Sequence, residues 1–176
     1  MPKLTITRLA VATTLLAGLG ATAAGAAEFY VGEPVERQNL QIVPNYLTGI
    51  MMSRMQGEPM GVDVVHLEAD VHATAKETHG FAEDAWIPYL TIHYTLTRQG
   101  TPFRATGTLR PMTAGDGPHY ANNVKMAGPG TYHLVYVIDP PSANGFLRHV
   151  DKATGVPGWW KPITASWTFT YPSRSK

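Results

Sequence analysis

The chain has 176 residues, with 14 Lys and Arg against 13 Asp and Glu and a formal net charge of +1, so its charge balance does not point to nucleic acid or a membrane surface as partner. It has no cysteine. Disulfides, thiolate catalysis and cysteine-ligated metals are therefore excluded, and any metal must be held by histidine, carboxylate, methionine thioether or main-chain oxygen.

Lys3 and Arg8 accompany a short apolar run, Leu9 to Leu19, that leads into the small residues Ala21 to Ala27. A cationic start, a short apolar centre and an A-x-A-like exit make residues 1–27 a secretory signal peptide. The run is too short and too rich in Gly and Ala to anchor the chain in a bilayer. Removing 27 of the 176 residues leaves 149, enough for one domain, 28–176, with a real core. The expectation is a periplasmic protein whose mature chain is not inserted in the membrane.

Glu28 to Arg37 reads as extended chain, and Asn39 to Tyr46 alternates enough to predict a first strand. Met51, Met52, Met55 and Met60 then place four of the seven methionines in one stretch containing Gly57 and Pro59, which predicts a loop. Two readings are open for it: capture of a soft metal, or gap-filling against the edge of the fold.

His66-Leu67-Glu68-Ala69-Asp70-Val71-His72 organises the rest. Strict alternation predicts a strand with Leu67, Ala69 and Val71 packed inward and two imidazoles and two carboxylates in a row on the other face. That face is either half of a metal site or simply turned to solvent. Residues two apart are about 7 Å apart, close enough for His66 and Glu68 to converge on one ion, whereas His72 lies about 20 Å from His66, too far to share it.

Lys76 to Asp84 is a polar connector with a solvated His79. Trp86 to Leu96 predicts a strand with Leu90, Ile92, Tyr94 and Leu96 on one face and Pro88 near its entry. Phe103 to Arg110 predicts another. Gly115-Asp116-Gly117-Pro118 forces a tight reversal that can return His119 to Met112. After the turn Gly128-Pro129-Gly130 come a clear strand, Thr131 to Ile138, a stop at Asp139-Pro140-Pro141, a loop from Ser142 to Val156 that carries His149, and a last strand, Ala165 to Tyr171. About seven short strands separated by Gly and Pro turns predict an all-β, immunoglobulin-like antiparallel β-sandwich.

The candidate ligands are His66 with Glu68, the pair Met112 and His119, and His149. Imidazole and thioether favour copper, the carboxylate also suits Fe2+ or Mn2+, and copper outcompetes the other divalent ions in affinity. His93 and His133, inside strong strands, read as structural or surface residues. Asp70 and His72 are candidates for hydrogen bonds behind the ligands or for a weaker second site. No G-x-S-x-G, P-loop, G-x-G-x-x-G or H-E-x-x-H is present, so no enzyme signature emerges.

Taken together, these stretches resemble the periplasmic high-affinity iron-transport proteins of the FetP/FtrA type. The resemblance rests on His66 to Thr74, Trp86 to Thr91, Pro111 to Tyr120, Asp139 to Ser142 and Trp159 to Pro162, in that order and across nearly all of the chain after residue 27. It implies an immunoglobulin-like homodimer that binds Cu2+ and a second ion such as Fe2+ or Mn2+ and works beside an inner-membrane iron permease. It further implies that His66, Glu68, Met112 and His119 are copper ligands and that His149 reaches across from the partner subunit. The expected function is non-enzymatic metal binding in iron uptake. The alternatives are copper buffering or delivery, in which the Met51 to Met60 loop would handle Cu+, and copper-dependent oxidation of Fe2+.

Overall fold

The alternation of apolar and polar residues becomes nine strands in the computed structural model, which describes residues 28–53 and 57–172. They are β1 (Glu28–Tyr30), β2 (Val35–Arg37), β3 (Leu40–Leu47), β4 (Val64–Ala73), β5 (Thr91–Arg98), β6 (Arg104–Ala114), β7 (Gly117–Lys125), β8 (Gly130–Asp139) and β9 (Ile163–Tyr171). The signal peptide assigned to residues 1–27 lies outside the described residues, as does Met55.

Neighbouring strands run antiparallel in the order β1-β3-β4-β7-β6-β5-β8-β9, with β2 also paired to β3. The result is the expected immunoglobulin-like sandwich, closed along one side by a shared strand. The first half of β6, Arg104 to Leu109, pairs with β5, and its second half, Arg110 to Ala114, pairs with β7. Pro111, just past that switch, and Pro44, opposite the gap between β1 and β2, both sit where a missing N–H costs the ladder little.

Leu67, Ala69 and Val71 of β4 face Ile92 and Leu96 of β5 and Leu134, Tyr136 and Ile138 of β8, all essentially inaccessible. Two buried tyrosines fasten the layers. Tyr136 donates its hydroxyl to the Glu68 carbonyl (2.8 Å), and Tyr120 donates to the Ile87 carbonyl (2.9 Å) while accepting from the Leu90 N–H (3.0 Å). Both phenols thus bury their rings without stranding a polar group.

Two expectations are corrected, and one strand goes beyond them. β5 begins at Thr91 rather than Trp86, because Tyr89 takes a left-handed φ of 61° that ends any extended run before it. β7 has no alternation to betray it: His119, Tyr120, Ala121, Asn123 and Val124 are all buried, since both faces of this strand are covered. His79 is not solvated. Its ring stacks on Trp159 at 4.8 Å and its Nδ1 lies 2.7 Å from Glu77 Oε1, so the connector is pinned rather than loose.

Candidate metal centre

Three adjacent strands build the site. In β4, His66 and Glu68 project from the face opposite Leu67 and Ala69. β7 is its neighbour, with His66 opposite Asn123 and Glu68 opposite Ala121, which places His119 on the same face and next to Glu68. β6 follows, and the Gly115-Asp116 reversal sets Met112 directly opposite His119. Sequence-distant donors thus meet because alternation fixes their face and register fixes their height.

His66 Nε2 lies 3.6 Å and His119 Nε2 3.4 Å from the same Glu68 oxygen, and the three donor atoms fall within 4.8 Å of one another. The imidazoles meet edge to face, centroids 6.0 Å apart. The face that could have been turned to solvent is instead enclosed: His66 is 3 % exposed, His119 6 % and Glu68 7 %. Half-buried Met112 shares with these three a cleft of about 750 Å³, bounded also by Met51, Met52, Arg110 and Asp116.

Electrostatics suit a cation. Burial, reinforced by Asp70, Asp116 and Glu28, pushes the Glu68 carboxyl up to about 8. Burial also pulls His66 below its ordinary value, against the opposing hydrogen bond to Asn123. A desolvated carboxyl beside the His66 imidazole, which resists protonation, is relieved when an ion displaces its proton. Two imidazoles, a carboxylate and a neighbouring thioether form a donor set suited to copper and tolerant of other divalent first-row ions.

One contributor was not anticipated. Asn123, 7 % exposed, holds its Oδ1 2.8 Å from His66 Nδ1 and donates its Nδ2 to the Pro59 carbonyl at 3.2 Å. Because the amide nitrogen is committed to a carbonyl, the oxygen must accept from Nδ1–H, which fixes the tautomer and leaves Nε2 as the free donor toward Glu68. Only the β4–β7 register reveals this partner.

Beside this cleft lies a second of about 570 Å³, bordered by Glu28, Asp70, His72, Asp84 and Asp116 and sharing Glu68 and His119. Buried Asn45 donates to both Glu28 and Asp70, 3.0 Å each, and His72 Nδ1 lies 3.2 Å from Asp84 Oδ1. Burial raises Asp70, while His119, His72 and Asn45 draw it down.

His149 does not join the cluster of its own chain. It sits on the loop beyond the 3-10 turn Pro141–Asn144, its side chain 75 % exposed, and borders neither cleft. The Thr154 hydroxyl donates to Asp151 (2.7 Å) and therefore accepts from His149 Nδ1–H (2.7 Å), which leaves Nε2 as the nitrogen without a proton, open to a ligand. His93 and His133 pair with Thr108 and Thr168 at the surface, as expected.

The sequence matches the model of the Fe2+ transport protein family over residues 25–173. It is 44 % identical over 162 residues to a UPF0423 protein of Brucella abortus, covering 87 % of this chain and 86 % of that one. Among solved structures, a copper-bound variant of FetP from uropathogenic Escherichia coli strain F11 superposes with a TM-score of 0.78 at 44 % identity, over 84 % of this chain and 99 % of that one. Copper-reconstituted P19 of Campylobacter jejuni gives 0.78 at 39 % identity, over 85 % and 99 %.

Proposed function

The chain belongs to the Fe2+ transport protein family, and from that premise we propose that it is a periplasmic metal-binding protein of a high-affinity iron uptake system. The observation that carries this reading is the convergence of His66, Glu68 and His119, buried and within 4.8 Å, with Met112 bordering the same cleft. Copper is the first occupant we assign, in keeping with the donor set and with copper-bound relatives. Fe2+ or Mn2+ is assigned to the adjoining carboxylate-lined cleft, whose oxygen-rich border suits a harder ion.

The site holds and passes ions to an inner-membrane iron permease rather than turning over a substrate. The protein acts as a homodimer in which the open Nε2 of His149 completes the copper shell of the partner. An exposed imidazole whose Nδ1 is already committed supports that role. Export to the periplasm follows from the leader assigned to residues 1–27. Among the described residues no helix is long and apolar enough to cross a membrane.

The test is metal content and affinity of the purified protein under anaerobic Fe2+ and under Cu2+, with His66→Ala and His119→Ala alongside, joined to growth of a deletion strain under iron starvation. Loss of Cu2+ binding in both variants and iron-limited growth support the proposal; Fe2+ uptake unchanged by the deletion overturns it. Copper buffering predicts copper sensitivity of that strain instead.

A further inference from the structure

Two thioethers stand outside the cluster just described. In this fold a methionine used for packing looks like Met126, which is 4 % exposed in the core, whereas Met51 is 84 % exposed and Met60 68 %. The gap-filling reading of the loop therefore fails for both. Both line a small cleft of about 150 Å³ that His66 and Asn123 also line. Met51 also borders the larger cleft that holds Glu68, Met112 and His119.

The segment that presents Met60, residues 57–61, is fastened. Arg110 pairs with Glu58, the Asn123 amide donates to the Pro59 carbonyl at 3.2 Å, and the Val64 N–H donates to the Gly61 carbonyl at 3.1 Å. Met60 is thus held between two anchored carbonyls, on the same amide that orients His66.

We infer that Met51 and Met60 form a second, soft-metal site at the mouth of the cleft, binding a monovalent ion of the Cu+ type. Thioether sulfur is a soft, polarizable, uncharged donor with no proton to lose, so it selects Cu+ over Fe2+ and Mn2+, and its affinity does not follow pH. This inference deepens the reading of the interior cluster as a copper site but is tested separately from it.

The experiment uses Ag+ as a redox-inert probe of the Cu+ site. On the mature protein with carbon-13-labelled methionine methyls, Ag+ should shift the Met51 and Met60 resonances and leave Met126 unmoved. Met51→Leu with Met60→Leu, near-isosteric changes at exposed positions, should weaken Ag+ binding by about tenfold or more, equally at pH 6 and pH 8, while the Cu2+ signal of the His66 cluster stays as in the unsubstituted protein. Unshifted Met51 and Met60 methyls overturn the inference. So does unchanged Ag+ affinity in the double variant, with or without an altered oligomeric state, and so does an equal loss of Cu2+ binding, which would make the loop only a cover. Failure of the interior site appears instead as Cu2+ binding insensitive to His66→Ala.

Discussion

Replacing Asn123 tests whether the geometry of the centre depends on the residue behind it. In Asn123→Ala the His66 Nδ1–H loses its acceptor at 2.8 Å in surroundings that leave the ring 3 % exposed. A buried donor left without a partner costs about 1–3 kcal/mol, which should appear as a lower melting temperature of the metal-free protein. The imidazole is also no longer bound to one tautomer, and loss of such a supporting hydrogen bond typically weakens a metal site by about 10–100-fold. Competitive Cu2+ titration reads that loss directly, about 1.4–2.8 kcal/mol of binding free energy. Asn123→Asp separates the two functions of the amide: its carboxylate still accepts from Nδ1–H, so most Cu2+ affinity should survive, but it cannot donate to Pro59, so amide exchange in residues 57–61 should speed up. If Asn123→Ala binds Cu2+ within about twofold of the unsubstituted protein, the tautomer argument is wrong.

The metal-free protein should lose stability as pH rises from about 6.5 to 8. Folded Glu68 keeps its proton up to about 8 against an ordinary value of 4.5, so its contribution is complete below about 4.5 and is lost at about 1.4 kcal/mol per pH unit from there up to about 8. Below pH 6.5 the depressed His66 opposes the trend, so denaturant titrations belong in the upper window, and Glu68→Gln should flatten them. Cu2+ binding at pH 7 should release a proton from Glu68, visible as a calorimetric heat that changes with the ionisation enthalpy of the buffer; equal heats in all buffers would refute the assignment. Gly107→Ala should destabilise by about 1–3 kcal/mol, because an added methyl would meet the Tyr94 ring at 2.7 Å. Tyr136→Phe should cost about 1 kcal/mol or more by stranding the Glu68 carbonyl, with chemical unfolding as the measure.

Much of this architecture is legible in the residues alone. Alternation around His66 and Tyr94 marks β4 and β5, and the Gly115-Asp116 turn brings Met112 to His119 without any knowledge of the sheet. What resists reading is everything that depends on which strands are neighbours. The polar face of β4 looks solvent-bound until β7, whose own pattern is erased by burial on both sides, is laid against it. Asn123 gains meaning only from lying opposite His66. Glu28, Asp70, Asp84 and Asp116 come from four distant places and share a cleft because of topology, which no local period encodes. His149 reads the same either way, since a loop histidine carries no sign of which chain it serves.

β6 belongs to both layers of the sandwich, and this limits how the centre can respond to its guests. Its far half is stitched to β5 and its near half carries Met112, so the hairpin holding Met112 and His119 has no hinge of its own. Any displacement of Met112 is therefore transmitted along a ladder that reaches into the opposite layer. The thioether is thus tied through one continuous strand to the layer farthest from the imidazoles of β4 and β7.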